Sequence, residues 1–234
     1  MSQFLDLLAP CIPQDHSRQV TSKAVAERIL RDDGTVRTVL DLGCGLGEAQ
    51  QFMRAAKRDV SWVGLDLATV PSIGASADLR GRYSVYDGTR VPFADGAFDL
   101  VYSNQVFEHV RFPATLLPEV NRVLRPNGYF VGSTSQLEPY HVSSVWNFTP
   151  YGFRLLIEEA GLRLTEIRPG IDGLTLIVRR ALGEPRFFSR WWERESPLNR
   201  MIGLIGRATG KPTVWINGTK LVLCGQFCFV ARKP

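Results

Sequence analysis

Two of the three histidines in this chain of 234 residues lie close to glutamates in the sequence. His109 directly follows Glu108, and His141 comes shortly after Glu138. An imidazole titrates near neutral pH, so a histidine placed against a hydroxyl group can remove its proton. The sequence therefore predicts His109 and His141 as candidate catalytic bases. Candidate contacts for the molecule that loses the proton are Glu138, Tyr140 and Trp146.

A second group of residues could bind a small ligand through backbone and carboxylate contacts. A β-branched and apolar run leads into Asp41, and Gly43, Gly45 and Gly47 follow at alternate positions. Glycines in such a turn allow positive φ and let a ligand approach the backbone closely. The pattern predicts a strand, a tight turn and the start of a helix, which together form the first unit of a doubly wound sheet.

The charge and spacing of this turn separate two classes of ligand. Dinucleotide-binding turns carry the pattern G-x-G-x-x-G and hold a pyrophosphate at the start of the next helix. The spacing here is G-x-G-x-G, an acid precedes it, and no lysine or arginine lies between Thr38 and Met53. An acid repels phosphate and suits a ligand with an ammonium group. The turn therefore disfavours a nicotinamide-dependent dehydrogenase, which remains the alternative.

Residues 41–47 resemble the first motif of the class I S-adenosylmethionine-dependent methyltransferases, and the order of later elements agrees over most of the chain. The resemblance implies S-adenosylmethionine as the cofactor, with its amino-acid part on the glycine turn. It also implies that Asp66 ends the second strand and accepts hydrogen bonds from the ribose hydroxyls, and that Asp87 ends the third and meets the adenine. The cofactor-binding residues expected from it are Asp41, Gly43, Gly45, Asp66, Leu67, Asp87, Gly88 and Asn104.

The resemblance extends to the acceptor side of the site. The triplet at residues 108–110 is similar to that of sugar O-methyltransferases, in which the histidine is catalytic. In ubiquinone-pathway O-methyltransferases a Glu-x-x-Glu-His run at this point binds a divalent metal. Gln105 replaces the first glutamate of that run here. The replacement disfavours the metal alternative, in which Glu108 and His109 would be ligands.

The expected reaction is O-methylation of a sugar, a glycan or another small hydroxyl acceptor. Residues 135–141 and 146–153 resemble methyltransferases of bacterial surface-polysaccharide and related glycan pathways. Two alternatives stay open. One is methylation of nitrogen or carbon on a natural-product or lipid acceptor, and the other is a cofactor-binding but inactive partner subunit.

These residues require an α/β fold in which the carboxyl ends of parallel strands meet. We expect a doubly wound, Rossmann-like sheet of seven strands whose last strand is antiparallel and lies at the sheet edge, with an inserted helical segment before it. The expected single domain, 1–234, divides into a helical cap (1–36), a cofactor-binding core (37–168), a basic aromatic insertion (169–220) and a closing strand (221–234). Helices are expected within 14–31, 46–57, 113–125 and 151–160, and strands at 129–134, 162–168 and 221–231. Thr149 and Pro150 are expected as the N-cap and first position of the last of these helices. Residues 67–80 carry no clear helix signal, and His16 or Arg18 in the cap could touch the cofactor.

Composition indicates an ordinary globular protein, with 44% hydrophobic and 22% charged residues. No apolar run approaches the roughly 20 residues that span a bilayer, and the N-terminus lacks the basic region of a signal peptide. We therefore expect a cytoplasmic protein. Its four cysteines lack the spacing of a disulfide framework or a zinc site, so reduced and mostly buried thiols are expected.

The insertion carries the charge excess of the whole chain. Residues 179–211 contain eight basic and three acidic residues, a net charge of +5 that equals the formal charge of the complete chain. Aromatic residues lie among them at 187–188 and 191–192. Three interpretations stay open: a wall of the acceptor site that favours a phosphate-bearing acceptor, a surface that rests on anionic membrane, and a solvated helix packed on the core or in a homodimer. One basic segment on a neutral remainder is too small a footprint to predict nucleic acid as a partner.

Overall fold

A central sheet of seven strands organises the protein, which we describe from a computed structural model covering residues 6–67 and 82–234. The strands are β1 (Thr38–Leu42), β2 (Ser61–Leu67), β3 (Tyr83–Tyr86), β4 (Phe98–Asn104), β5 (Leu124–Ser135), β6 (Arg163–Pro169) and β7 (Gln226–Arg232). Their order across the sheet is β3-β2-β1-β4-β5-β7-β6. Strands β1 to β5 pair in parallel, and β7 runs antiparallel to β5 and β6. The predicted α/β class and doubly wound sheet with an antiparallel last strand are confirmed.

Helices connect the strands. Those in the described ranges are α1 (Ser22–Asp32), α2 (Glu48–Ala56), α3 (Pro113–Val123), α4 (Pro150–Glu159), α5 (Gly173–Ala181), α6 (Pro197–Ala208) and α7 (Thr213–Leu223). Short 3-10 turns lie at Ala9–Cys11, Phe107–His109 and Arg186–Trp191. No helix among the described residues has the length and apolar character that crossing a membrane requires.

Two buried apolar clusters show that the sheet is covered on both faces. Neighbouring residues of one strand belong to different clusters: Val39 packs in one and Leu40 in the other, as do Val131 and Phe130. Since successive side chains of a strand point to opposite faces, the two clusters lie on the two sides of the sheet. A covered sheet leaves the ends of its strands as the open place for a ligand.

Side-chain caps fix where several helices begin. Thr149 was predicted as an N-cap before Pro150, and its Oγ1 accepts a hydrogen bond from the Gly152 amide at 3.0 Å. Thr21 likewise accepts from Ala24 at 3.2 Å and begins α1. Such caps satisfy amides that the first turn of a helix leaves without a partner. The cap at Thr21 begins the first turn of α1, in which the Ser22 hydroxyl donates to Asn104 at the end of β4.

The closing strand differs from the prediction in its start and in its place. We expected a strand over 221–231 at the sheet edge, but residues 221–223 end α7 and β7 lies between β5 and β6. Leu221 and Cys224 are fully buried, and a short apolar run of this kind fits a buried helix end as well as a strand. The inner position of β7 follows from its two antiparallel ladders, which leave β6 at the edge.

Other boundaries also shifted. The predicted helices over 14–31 are one helix, α1, which begins at Ser22 after a segment without helix. Strand β5 begins at Leu124, before its expected start, and includes Asn127 in a left-handed conformation with φ of 61°. Residues 68–80 of the segment without a helix signal lie outside the described residues. All four cysteines are buried and unpaired, as expected.

Candidate functional site

A cavity of about 1000 Å³ opens beyond the carboxyl ends of the parallel strands. Asp41 of β1, Asn104 of β4 and Ser133 of β5 line it. The strand order reverses between β1 and β4, because the chain passes from β1 to β2 on one side and returns to β4 on the other. Ligands of doubly wound sheets bind at such a reversal, so this cavity is the candidate cofactor site.

The glycine turn brings the backbone to the floor of this cavity. Gly43 and Gly45 have φ of 73° and 52°, in the left-handed region that glycine adopts without strain. A Cβ on Gly43 would lie 2.3 Å from a methyl of Val106, whereas one on Gly45 would meet nothing within 4 Å. Gly43 is therefore required by packing against the chain after β4. Gly45 leaves space that a ligand can occupy.

Asp41 is a buried acid at the base of the cavity, with 3% of its surface exposed. Its Oδ2 accepts a hydrogen bond from the indole Nε1 of Trp62 at 3.2 Å. Burial raises the pKa of Asp41 to about 7, and the nearby charge of Asp66 acts in the same direction. A cationic group in the cavity would favour the ionised form of Asp41, because an opposite charge lowers the pKa of a carboxyl.

Asp66 joins the end of β2 to the glycine turn. Its Oδ2 accepts from the Gly45 amide and its Oδ1 from the Leu67 amide, both at 2.7 Å. Each carboxylate oxygen retains a second lone pair, so the same side chain has acceptor capacity left for ribose hydroxyls. The predicted ligands Asp41, Gly43, Gly45, Asp66 and Leu67 thus meet around one turn.

Asp87 and Gly88 are placed differently. Asp87 is exposed, and its Oδ1 accepts from the Thr89 amide, the Thr89 hydroxyl and the Arg90 amide at 2.8–2.9 Å. These hydrogen bonds lower the pKa of Asp87 to about 2. Among the described residues, Asp87 lines a separate cavity with Arg90 and Phe93 and is not part of the wall of the large cavity. Its role toward adenine stays a prediction.

The walls of the large cavity are acidic. Its only lysine or arginine within the described ranges is Lys23, and four acids accompany it: Glu27, Asp41, Glu48 and Glu193. A dinucleotide would place its pyrophosphate against this surplus of carboxylates, whereas a sulfonium and an ammonium group would be attracted to it. The lining therefore fits a cationic cofactor and supports the charge argument made from the turn.

A polar network that the sequence did not predict surrounds Asn104. Its Oδ1 accepts from the Ser22 hydroxyl at 2.6 Å and from the Ser133 hydroxyl at 2.9 Å. The Ser22 hydroxyl also lies 2.9 Å from that of Tyr102. Ser22 and Ser133 lie far from Asn104 in the sequence, so no local pattern announces the network. Its one local signal is the capping threonine at 21, which places Ser22 in the first turn of α1.

The two candidate bases lie side by side. The ring centroids of His109 and His141 are 5.2 Å apart and nearly perpendicular. Nδ1 of His141 lies 3.8 Å from Oε1 of Glu138. Burial lowers the pKa of His109, which favours its neutral, proton-accepting form at neutral pH. The structure therefore brings together three of the residues that sequence analysis assigned to the acceptor side.

A buried hydrogen-bond network links this cluster to the large cavity. Glu108 is fully buried and accepts from the Thr134 hydroxyl at 3.0 Å, and its burial raises its pKa to about 7. Oε2 of Glu138 accepts from the Ser135 hydroxyl at 2.6 Å. With its amide nitrogen turned toward the acids, Gln105 donates to Glu108 at 2.8 Å and to Glu138 at 3.2 Å. Gln105 also lines the cavity, so it joins the two places.

The same cluster has the composition of a metal site. One ligand atom each from Glu108, His109 and His141 lies within 4.8 Å of the others. Nδ1 of His109 is buried and has no hydrogen-bond partner among the described residues. Sequence analysis had considered Glu108 and His109 as ligands and disfavoured them, and His141 is the added member.

The remaining predicted contacts are at the surface. Tyr140 is 71% exposed and Trp146 43% exposed, and the indole of Trp146 donates to the Val110 carbonyl at 2.9 Å. In the cap, His16 lies 3.3 Å from a guanidinium nitrogen of Arg168. His16 and Arg18 line a neighbouring cavity, and the cap reaches the large cavity through residues 20–23 instead.

Comparisons with known proteins agree on one family. Residues 40–132 match the family model "Methyltransferase domain". An uncharacterised methyltransferase of Mycobacterium sp. (strain KMS) is 42% identical over 108 residues, which are 44% of this chain and 41% of that protein. A malonyl-[acyl-carrier protein] O-methyltransferase of Coxiella burnetii is 34% identical over 117 residues, 48% of this chain and 40% of that protein. The chain thus spans about two fifths of the length of these curated relatives.

The fold likeness covers more of the chain. A solved S-adenosylmethionine-dependent methyltransferase from Mesorhizobium loti superposes with a TM-score of 0.53 at 18% identity, over 91% of this chain and 98% of that one. At this identity the likeness shows the fold alone. It includes the region beyond residue 132, where the family model ends.

Proposed function

Because this chain belongs to the class I S-adenosylmethionine-dependent methyltransferases, we propose that it methylates a hydroxyl group of a sugar, a glycan or another small acceptor. The cofactor of the family, S-adenosylmethionine, supplies a methyl group on a positively charged sulfur. The protein's task is then to hold that cation, to align the acceptor oxygen with the methyl carbon, and to take up the acceptor's proton.

Four of the proposed cofactor contacts line the large cavity: Asp41, Gly43, Gly45 and Asn104. Asp41 and the turn at Gly43 and Gly45 would hold the amino-acid part, and the acidic lining supports a cationic occupant. Asp66 would bind the ribose, assisted by the backbone of Leu67. The remaining proposed cofactor contacts are Asn104, at the end of β4, and Asp87 and Gly88, which follow β3.

The observation that carries the proposal is the acid-flanked histidine pair beside this cavity. His109 and His141 contact each other, and Glu138 lies 3.8 Å from His141. A neutral imidazole can accept the proton of a hydroxyl as its oxygen attacks, and the neighbouring carboxylate stabilises the imidazolium that forms. Glu138, Tyr140 and Trp146 are the proposed acceptor contacts, since they border the pair in sequence. The C. burnetii relative, named as an O-methyltransferase, gives additional support for oxygen.

A turnover assay with labelled cofactor and a panel of sugars, glycans and small alcohols tests the proposal. Since a positioned base contributes typically 10²–10⁴-fold, we expect His109→Ala or His141→Ala to lower turnover by that order while cofactor affinity holds. Arg58→Ala is the control, because Arg58 is exposed and lines neither the cofactor cavity nor its neighbour. Near-normal turnover in both variants would favour the alternative, methylation of nitrogen or carbon on an acceptor that needs no such base.

A metal-assisted variant of the reaction is a second candidate, favoured by the cluster of Glu108, His109 and His141. A divalent cation there would lower the pKa of a bound hydroxyl and replace the base. Activity that a chelator abolishes and Mg²⁺ restores would support it, and activity unchanged by the chelator would contradict it. The last alternative, an inactive partner subunit, predicts cofactor binding without turnover on any acceptor.

Finer proposals concern the segment between β6 and β7. Trp192 and Glu193 line the cofactor cavity, which supports a role in bounding the acceptor. Helices α5 and α6 also expose apolar side chains: Leu174, Ile177, Val178, Leu182, Met201, Leu204 and Ile205. These would suit a peripheral membrane contact or a homodimer. Co-sedimentation with anionic vesicles and analytical ultracentrifugation of the free protein distinguish the two.

A further inference from the structure

A second cavity, of about 560 Å³, lies apart from the cofactor site and is lined by arginines. Five guanidinium groups surround it: Arg18, Arg190, Arg194, Arg200 and Arg207. They come from the cap, from the 3-10 turn and its continuation, and from α6. We call it the arginine cavity. None of its residues lines the cofactor cavity in the described parts of the chain.

The helix α6 presents one face to this cavity. Arg200, Gly203 and Arg207 follow one another at intervals of three and four residues, which places them on the same side of a helix. Glycine at position 203 lets the Arg207 guanidinium lie close to the helix backbone. A Cβ at this position would lie only 3.2 Å from Nη1 of Arg207. On another wall, the Arg190 guanidinium stacks over the Trp191 ring at 4.6 Å. The cavity therefore has a defined shape and one pre-oriented guanidinium.

The positive charge of the arginine cavity is not neutralised within the described ranges 6–67 and 82–234. Glu195 is the acid in its wall, and it is paired with the buried ammonium of Lys220. Glu184, another acid of the insertion, pairs with Arg179 and Arg180 outside the cavity. Like charges held this close repel one another, so an anion bound between them would stabilise the arrangement.

We propose that the arginine cavity binds a phosphate group. Guanidinium groups pair with phosphate oxygens through two parallel hydrogen bonds, and several of them around one cavity match a phosphate monoester or diphosphate. This ligand chemistry has two sources, a soluble phosphorylated molecule or the headgroup of an anionic lipid. With either source, residues 179–211, which carry the net positive charge of the chain, would have a binding function.

The position of the cavity relates this phosphate to the cofactor site. An intervening cavity shares Lys23 and Glu193 with the cofactor cavity, and shares Arg18 and Glu195 with the arginine cavity. The three cavities therefore adjoin one another, with the intervening cavity between the cofactor site and the arginines. A phosphorylated acceptor could be anchored at the arginines while its hydroxyl lies at the cofactor site. That assignment to the acceptor rests on the proposed function, whereas phosphate binding itself does not.

Isothermal titration of the protein with inorganic pyrophosphate at low ionic strength tests the proposal. We expect binding by the wild type and affinity at least about tenfold weaker in Arg200→Gln/Arg207→Gln, because charge-assisted hydrogen bonds are lost. The matched control, Arg58→Gln/Arg186→Gln, removes the same charge from exposed arginines outside the cavity and should keep the affinity. Unchanged binding of S-adenosylmethionine by all variants shows that the fold is intact.

Two results would overturn the proposal: no binding of pyrophosphate by the wild type, or an equal loss in the control variant, which would indicate net charge alone. Vesicles identify the source of the phosphate. If the wild type, but not Arg200→Gln/Arg207→Gln, sediments with phosphatidylcholine vesicles containing phosphatidic acid, the ligand is a lipid headgroup. Pyrophosphate binding without sedimentation indicates a soluble ligand. A protein that binds pyrophosphate but transfers no methyl group would contradict the proposed function and leave this inference standing.

Discussion

At the scale of single residues, the site depends on carboxyl groups in different surroundings. Asp41 and Glu108 are buried, and their pKa values rise to about 7. Asp87 is exposed and held by backbone amides, and its pKa falls to about 2. Asp66 uses both oxygens to receive backbone amides. These differences follow from solvation and hydrogen bonding, and they separate residues that the sequence shows only as acids.

The first prediction at this scale concerns Asp66. We expect Asp66→Ala to weaken S-adenosylmethionine binding by about 1.5–3 kcal/mol, the contribution of a hydrogen bond to a charged group. Calorimetry measures the affinity, and Asp32→Ala, at the exposed end of α1, is the control. Unchanged affinity in Asp66→Ala would remove Asp66 from the cofactor site. Tight binding of a nicotinamide dinucleotide in place of S-adenosylmethionine would overturn the family assignment.

A second prediction follows from the raised pKa of Glu108. Between its unfolded value near 4.5 and its folded value of about 7, the folded protein binds a proton that the unfolded chain has released. The contribution of Glu108 to the free energy of unfolding should therefore be greatest below pH 4.5. It should be lost as the pH rises toward 7. The shift corresponds to about 3 kcal/mol.

Urea denaturation at pH 5 and pH 8 measures this effect. The neutral side chain of Glu108→Gln does not titrate, so the decrease in unfolding free energy between the two pH values should be smaller in this variant than in the wild type. Asp41 contributes in the same direction and remains in both proteins. An equal pH dependence in the two proteins would show that Glu108 is already ionised in the folded state.

At the scale of elements, the glycine turn illustrates how a strand and a helix are joined for a ligand. Gly43 and Gly183 have nearly the same left-handed φ, 73° and 71°. A Cβ on Gly183 would meet nothing within 4 Å, whereas one on Gly43 would collide with Val106. The turn after β1 therefore needs glycine for two reasons, its conformation and the approach of the chain after β4.

This pair gives a third prediction. Gly183→Ala should cost about 1 kcal/mol in unfolding free energy, the strain of a left-handed alanine. Gly43→Ala should cost clearly more and should also weaken S-adenosylmethionine binding, because Val106 and the turn must move apart. Thermal unfolding and calorimetry of the two variants measure these effects. Similar values for both would mean that the turn relaxes freely and does not depend on its contact with Val106.

At the scale of the whole molecule, charge is divided between two cavities of opposite sign. The cofactor cavity has four acids and one lysine in its described wall, while the arginine cavity has five arginines and an acid that is already paired. The formal charge of +5 does not reveal this division. On the function and the phosphate site proposed above, this division suits an acceptor with a phosphate at the end remote from the reacting hydroxyl.

The fourth prediction is that ligand affinity depends differently on salt concentration in the arginine cavity and in the cofactor cavity. Raising the salt concentration shortens the Debye length from about 10 Å at 0.1 M to about 3 Å at 1 M. Pyrophosphate affinity should therefore fall steeply, because the arginines are exposed. S-adenosylmethionine affinity should change little, since Asp41 is buried and less screened. Calorimetry at both salt concentrations measures the two affinities, and an equal decrease in both would contradict the separation of the sites.

The sequence by itself determined the features that local spacing encodes. The strand before Asp41, the glycine turn, the capping threonine at 149 and the acid at the end of β2 could be predicted, because turns, caps and strand ends depend on a few neighbouring residues. The concentration of basic residues before β7 was likewise visible as a count. These features sufficed for the α/β class and for a candidate cofactor site.

Only the tertiary structure decided what depends on distant residues. The inner position of β7 results from pairing with β5 and β6, and residues 221–223 form the end of α7, with Leu221 fully buried. The contact between His109 and His141 joins residues 32 positions apart, and the arginine cavity joins Arg18 to residues within 190–207. Non-local packing overrides local preference in such places. It brought Arg18 of the cap together with four arginines of the insertion in one cavity, which no spacing in the sequence reveals.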